Sequence, residues 1–310
     1  MNNKHAYLII ANGNFEQLSF LLQCLDNIRN DFFVLIDKKS KFTKDHQRKL
    51  RKSVKKSSLQ FLKRIPIYWG DYSLVAAEIN LFKASLENNI SYDYFHLLSG
   101  VDLPLTSADN ILAFFDQHPN KIFMTYARMN KQVYDRVKYK YHLLKYTNKS
   151  GFSKRKTVPA RIIDKSSLLV QKLLHRDYFS KFGVELGYAS QWVTVDNKTA
   201  KLIINNRKWI EHVFMHSFLC DELFLPTLLN KYPEYKEKVF YKQPVTDDPR
   251  ELQGNLRYIN WWDGSPYTWK DGDESKINQG IRLGHLFSRK FDLHSSPKLQ
   301  KYIASLSSKQ

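Results

Sequence analysis

Two pairs of charged residues in the last third of the chain are suited to chemistry. Asp221-Glu222 sets two carboxylates side by side, and Arg289-Lys290 sets two cations inside Leu286-Phe287-Ser288-Arg289-Lys290-Phe291-Asp292. Adjacent residues on a helix point about 100° apart, so the two acids cannot share one proton as a tight dyad. One can act as a base while the other caps the helix or holds a ligand hydroxyl. A general base for an alcohol must reach it by a hydrogen bond, and Glu222 suits that if it faces a cleft. The competing reading makes Asp221 a plain cap of a helix Glu222–Leu229, worth about 1 kcal/mol. The cations can do a metal ion's work on a phosphate; the plainer alternative is a pair of surface side chains lying over apolar neighbours.

Breaking a sugar–diphosphate bond builds negative charge on the departing phosphates, which a divalent metal or an Arg/Lys clamp must stabilise. Metal-using transferases of nucleotide sugars usually carry Asp-x-Asp after a central strand. Here the corresponding stretch, Ser99-Gly100-Val101-Asp102-Leu103-Pro104-Leu105, holds one acid. The Asp-x-Asp at Asp271-Gly272-Asp273 lies in a late polar segment and predicts a turn. Cationic stabilisation by Arg257 and Lys290 is therefore the expectation, with no metal and no cofactor beyond a donor substrate. His212 and His216, four apart on a predicted helix, keep a zinc site open as an alternative. No Gly-x-Ser-x-Gly elbow, Gly-x-Gly-x-x-Gly or Walker A sequence is present.

The elements that must position these residues alternate. Apolar runs at 6–11, 32–36, 58–61 and 94–98 predict strands, and helical spacing covers 15–28, 43–56, 73–88 and 108–117, the last capped by Ser107. Such alternation predicts βαβ units and a mostly parallel α/β sheet. Ligands of such sheets bind beyond the carboxyl ends of the strands, which places Asn12-Gly13, Asp37-Lys38 and Ser99–Asp102 along one edge, where a nucleotide would lie. Residues 121–186 are dense in Lys, Arg and Tyr and predict a basic insertion, with 149–156 as a loop. Strand and helix resume at 191–195 and 198–205, residues 221–229 predict a helix, 254–261 a short strand, and 263–278 a polar loop. One domain over 1–310 is expected, with a nucleotide half (1–120), the insertion (121–186) and a catalytic, acceptor half (187–310).

The 310 residues carry a formal net charge of +19, with 43% hydrophobic and 14% aromatic residues. That balance predicts a globular chain with an anionic partner: a phosphorylated substrate, an anionic membrane surface or nucleic acid. The two cysteines, Cys24 and Cys220, suggest no disulfide framework and a reducing compartment. No secretory h-region and no apolar run of 18 residues is present. A soluble, cytoplasmic chain is expected, with any membrane contact peripheral and made by the basic middle region and the helix after Thr43.

An ordered set of stretches resembles one known family. The stretches are 6–9, Leu35-Ile36-Asp37-Lys38-Lys39-Ser40, Tyr68-Trp69-Gly70-Asp71-Tyr72-Ser73-Leu74-Val75, 97–105, Gln191-Trp192-Val193, Asp221-Glu222, Asn255-Leu256-Arg257-Tyr258-Ile259-Asn260-Trp261 and 286–292. Together they resemble the core-2/I-branching β-1,6-N-acetylglucosaminyltransferase and peptide O-xylosyltransferase family across nearly the whole chain. The resemblance implies a GT-A fold and an inverting, metal-independent transfer from a UDP-sugar, with UDP-GlcNAc the first donor expected. It implies Glu222 as base, Arg257 and Lys290 on the diphosphate, Asp37 and Tyr68 on the uridine, and Asp102 near the donor sugar. Arg289 is then structural. Animal members are anchored and disulfide-bonded. Two cysteines and no anchor suit a bacterial-type member acting on a glycan or lipid-linked glycan. The other readings are a basic nucleic-acid-binding protein, without a recognition module to support it, and an inactive sugar-binding relative.

Overall fold

The computed structural model describes residues 4–147, 154–264 and 266–308. Its strands are β1 (Lys4–Ala11), β2 (Asn30–Ile36), β3 (Ser58–Phe61), β4 (Tyr92–Ser99), β5 (Leu103–Pro104), β6 (Thr194–Asp196), β7 (Arg257–Ile259) and β8 (Phe287–Arg289). Five form a sheet in the order β3-β2-β1-β4-β6. The first four run parallel, and β6 is antiparallel to β4. A small sheet, β5-β8-β7, flanks it, with β8 parallel to β7 and antiparallel to β5. This is the mostly parallel, Rossmann-like α/β arrangement expected of a GT-A chain.

The apolar runs explain the central strands. β1, β2 and β4 are buried along nearly their whole length, as strands covered on both faces must be. Their alternate residues feed two cores. Leu8, Phe33, Leu35, Phe95 and Leu97 pack with the helix Ser73–Leu86 on one face. Tyr7, Ile9, Phe32, Val34 and Leu98 pack with the helix Phe15–Cys24 and the small sheet on the other. Register brings Ala11 opposite Ile36 and Ile10 opposite Ser99, so the segments after β1, β2 and β4 meet at one edge as expected. Gly100 allows this close approach, because a Cβ there would stand 2.9 Å from the Ala11 Cβ.

Several boundaries differ from the sequence expectation. The basic helix is Lys44–Lys52, with Thr43 as its cap rather than its first turn. Strand β6 keeps only Thr194–Asp196 of the expected 191–195, although Val193 O still accepts from Leu97 N of β4 at 2.9 Å. The polar stretch 263–278 is not all loop: the helix Glu274–Arg282 begins inside it. Residues 149–153 of the predicted basic loop lie outside the described residues, and 154–156 open the helix Lys154–Leu173 instead. The basic middle region also begins within the fold, since Phe123 bridges Thr194 and Ile122 bridges Val239.

Candidate active site

The candidate site is assembled by turns at the carboxyl edge of the large sheet. Asp37, just past β2, is 7% exposed. Its Oδ1 accepts hydrogen bonds from Lys39 N at 2.9 Å and Ile67 N at 3.3 Å. Its other oxygen faces Lys39 Nζ at 3.5 Å, and that ammonium lies 4.3 Å from the centre of the Tyr68 ring. Ser40 Oγ donates to the Asn12 carbonyl at 2.7 Å. Asn12, Asp37 and Tyr68 are thus brought together, with Lys39 and Ser40 joining them.

The Tyr68 turn leads directly to Glu222. Gly70 O accepts from Leu219 N at 2.9 Å, which holds Leu219 at φ 49°, an unfavourable left-handed conformation for a branched side chain. The short 3-10 turn Cys220–Glu222 follows. Asp221 does not cap a helix here: the helix that follows is Phe224–Lys231, and it has no side-chain cap. Asp221 is instead 7% exposed with an unpartnered Oδ1. Burial, reinforced by the Glu222 charge, pushes its pKa up to about 7. Nearby Glu78 is also buried and raised well above the usual carboxylate range, chiefly by burial and then by Asp221. Gln191 Nε2 donates to Glu78 Oε1 at 2.7 Å.

The Glu222 carboxylate remains 28% exposed, and Arg136 Nη1 donates to its Oε2 at 2.7 Å. Burial raises the Glu222 pKa, and the Arg136 charge and hydrogen bond oppose that rise. Arg136 sits on the helix Lys131–Lys138, whose Val133 and Val137 turn into the core. Its guanidinium also lies 5.3 Å from the centre of the Tyr188 ring. Sequence reasoning missed Arg136; the apolar pair flanking it, which places it at the edge of the inward face, was the available signal.

The segment 188–194 joins this acid to Arg289 and Asp102. Ala189 N donates to Glu222 O at 3.0 Å, and Trp192 lies beneath Arg289, whose Cζ is 4.2 Å from the ring centre. Arg289 Nε is 3.1 Å from Asp102 Oδ1. Asp102 is fully buried and also accepts from Ser99 Oγ at 2.6 Å and Ser99 N at 3.1 Å. The structure therefore does not set Asp102 out beside a donor sugar; it is the buried counterion of Arg289. Lys290, the next residue, is partly exposed, and its backbone carbonyl accepts from Trp269 N at 2.8 Å.

Arg257 departs furthest from expectation. It is 1% exposed, and its Nη2 donates to Leu97 O at 3.1 Å, Val193 O at 3.0 Å and Thr194 Oγ1 at 3.1 Å, while Nη1 donates to Asn255 O. Burial lowers its pKa to about 10. A guanidinium committed to backbone carbonyls inside the protein is not placed to grip a diphosphate; it fastens β7 to β4 and to the segment before β6. The two histidines also part company. His212 lies on the helix Arg207–Phe214, whereas His216 lies past its end with its ring 4.7 Å from that of His142. Asp271 and Asp273 form the expected turn, accepting from Leu299 N at 2.8 Å and Lys270 N at 2.9 Å around Gly272 at φ 96°.

A partly exposed carboxylate, an acid-bound loop after β2 and a terminal basic strand thus share one edge of a mostly parallel sheet. A family model described as "Branch: Core-2/I-Branching enzyme" matches residues 5–279. The chain belongs to that family of glycosyltransferases. This Core-2/I-branching chain is 21% identical over 300 residues to "Xylosyltransferase oxt" of Drosophila melanogaster, covering 93% of the chain and 31% of that protein. It is 21% identical over 308 residues to "Xylosyltransferase 1" of Homo sapiens, covering 93% of the chain and 28% of that protein. The chain spans about a third of the length of these curated relatives. Among solved structures it is similar to mouse xyloside xylosyltransferase 1, at 11% identity and TM-score 0.39 over 92% of this chain and 96% of that one. It is also similar to the WbbM bifunctional glycosyltransferase, at 11% identity and TM-score 0.42 over 100% of this chain and 50% of that one. No helix among the described residues is long and apolar enough to cross a membrane.

Proposed function

We propose that this chain transfers a sugar from a UDP-sugar to a hydroxyl of a glycan acceptor, with inversion and without a divalent metal. The observation that carries the reading is the Glu222 carboxylate. It is partly exposed, held by one cation, and seated on a turn touching both the Tyr68 loop and the segment under Arg289-Lys290. Glu222 takes the proton of the acceptor hydroxyl. The acceptor oxygen forms a bond to C1 from the face opposite UDP, and the C1–O bond to the diphosphate breaks with its electron pair leaving on UDP. Lys290 stabilises that charge. Asp37 and Tyr68 hold the uridine, which requires Lys39 to leave the Tyr68 ring face. Arg257 acts at a distance, by fixing the strands that carry the phosphate side.

UDP-GlcNAc is the first donor proposed, and the names of the relatives make UDP-xylose the first comparator. The acceptor is a glycan or lipid-linked glycan of bacterial surface polysaccharide or lipo-oligosaccharide synthesis, met at the inner face of the plasma membrane. The test is release of UDP from UDP-GlcNAc, UDP-xylose, UDP-glucose and UDP-galactose in the presence of EDTA. Wild type is expected to release UDP from one of them, and Glu222→Gln to lose the activity by about 10²–10⁴-fold. Equal rates for the two proteins, or a strict need for manganese, would refute the mechanism.

A further inference from the structure

The helix Lys154–Leu173 turns two apolar edges outward. Ala160, Asp164 and Gln171 point inward and are buried. On the other side Ile162 is 60%, Leu169 58% and Leu173 70% exposed, with Val158, Ile163, Val170 and Leu174 alongside, each at least half exposed. Spacings of four and seven residues align Val158, Ile162, Leu169 and Leu173 in a row opposite the buried face and Ile163, Val170 and Leu174 in a second row beside it, the two rows bounding one arc. Ile162, Ile163, Val170 and Leu174 also line an open groove of about 520 Å³. No other helix of the described residues exposes so many large apolar side chains, and a patch of this kind marks an interaction surface.

The charges beside the arc select its partner. Arg161, Lys165 and Lys172 are exposed along its border, and His175 and Arg176 follow at its end. The one acid between residues 158 and 176 is Asp164, which is buried. A second copy of this chain would bring like charges face to face. A lipid surface with anionic headgroups takes both features at once, apolar side chains among the acyl chains and cations at the phosphates.

We infer that the helix Lys154–Leu173 lies in the interface of an anionic membrane and docks the enzyme there. The inference deepens the membrane part of the proposed function and does not depend on its transfer chemistry. It also moves the contact from basic charge in general to one amphipathic helix.

The experiment is flotation of the full chain with phosphatidylcholine vesicles, with and without phosphatidylglycerol. Ile162→Gln/Leu169→Gln/Leu173→Gln is compared with wild type, and UDP release and thermal melting report on the fold. Wild type is expected to float with anionic vesicles and not with neutral ones. The triple variant is expected to lose at least about tenfold in partitioning while keeping its melting temperature and UDP release. Undiminished flotation of the variant, or equal binding of wild type to neutral vesicles, overturns the inference. So does a wild-type dimer in sedimentation that the variant abolishes while neither floats. Flotation as expected with no UDP release from wild type would leave docking standing and remove the catalytic reading.

Discussion

Replacing Arg136 by Met takes away the cation 2.7 Å from Glu222 Oε2 and leaves burial to act alone on that carboxyl. The Glu222 pKa then rises, so the acid limb of kcat/KM for UDP release moves to higher pH, while rates well above that limb change less. A profile that keeps its limb would show that Arg136 does not set the base. The two cations once paired on the diphosphate separate cleanly. Lys290→Met should lower kcat with little change in melting temperature. Arg257→Met takes the guanidinium donors away from the Leu97 and Asn255 carbonyls inside the protein and should destabilise it by about 3 kcal/mol or more, visible in denaturant unfolding. Asp221 gives a pH test of stability. Its folded pKa, about 7, lies above that of the unfolded chain, so its contribution is complete at low pH and is lost as pH rises from about 4 to about 7. Asp221→Asn should flatten that decline and gain on the order of 2–4 kcal/mol relative to wild type at pH 8; Glu78 keeps a residual slope of the same sign. The meeting of Asn12, Asp37 and Tyr68 was legible because strand and motif order survive without coordinates. The partners were not. Nothing in Asn255-Leu256-Arg257 says that the guanidinium turns inward, nor that Arg289 rather than Lys290 meets Asp102.

Elements reached only through long-range pairing were the hardest to anticipate. β1, β2 and β4 are long apolar runs whose burial on both faces leaves a plain signature. β6, β7 and β8 have three residues each and exist only because partners distant in sequence complete their ladders. The helix Lys154–Leu173 was missed because its basic opening and Pro159 resemble loop composition; its apolar face shows a helical period only from Val158 onward. Gly187 tests how elements position the base. A Cβ there would stand 2.5 Å from the Pro226 carbonyl carbon, and backbone cannot yield as a side-chain tip can. Gly187→Ala should push the 187–190 segment off the helix Phe224–Lys231 and disturb the Ala189–Glu222 contact. The expected result is a loss of about 1–3 kcal/mol together with a fall in kcat. A variant with wild-type kcat and melting temperature would show that this packing does not support the base.

At the scale of the molecule, a net charge of +19 predicts a long-range pull toward anionic surfaces that salt weakens, whereas the apolar arc of the basic region resists salt. Flotation of wild type with anionic vesicles should therefore weaken as ionic strength rises but persist at moderate salt, where the headgroup contacts are only partly screened. Complete loss at moderate salt would mean that charge alone holds the protein to the vesicle. The position of β8 carries a different consequence. It lies between β5 and β7 and pairs Ser288 with Leu103 and with Tyr258, so a segment synthesised after both of its neighbours is the middle strand of its sheet. During translation the parallel sheet can form early, but the small sheet stays open until residues 286–291 have left the ribosome. Stalled nascent chains lengthened stepwise should therefore gain donor binding abruptly at that point, and refolding of the full chain should wait on the same late closure. On the proposed reading, a ribosome-bound chain stopped before β8 then has no working site with which to spend activated sugar.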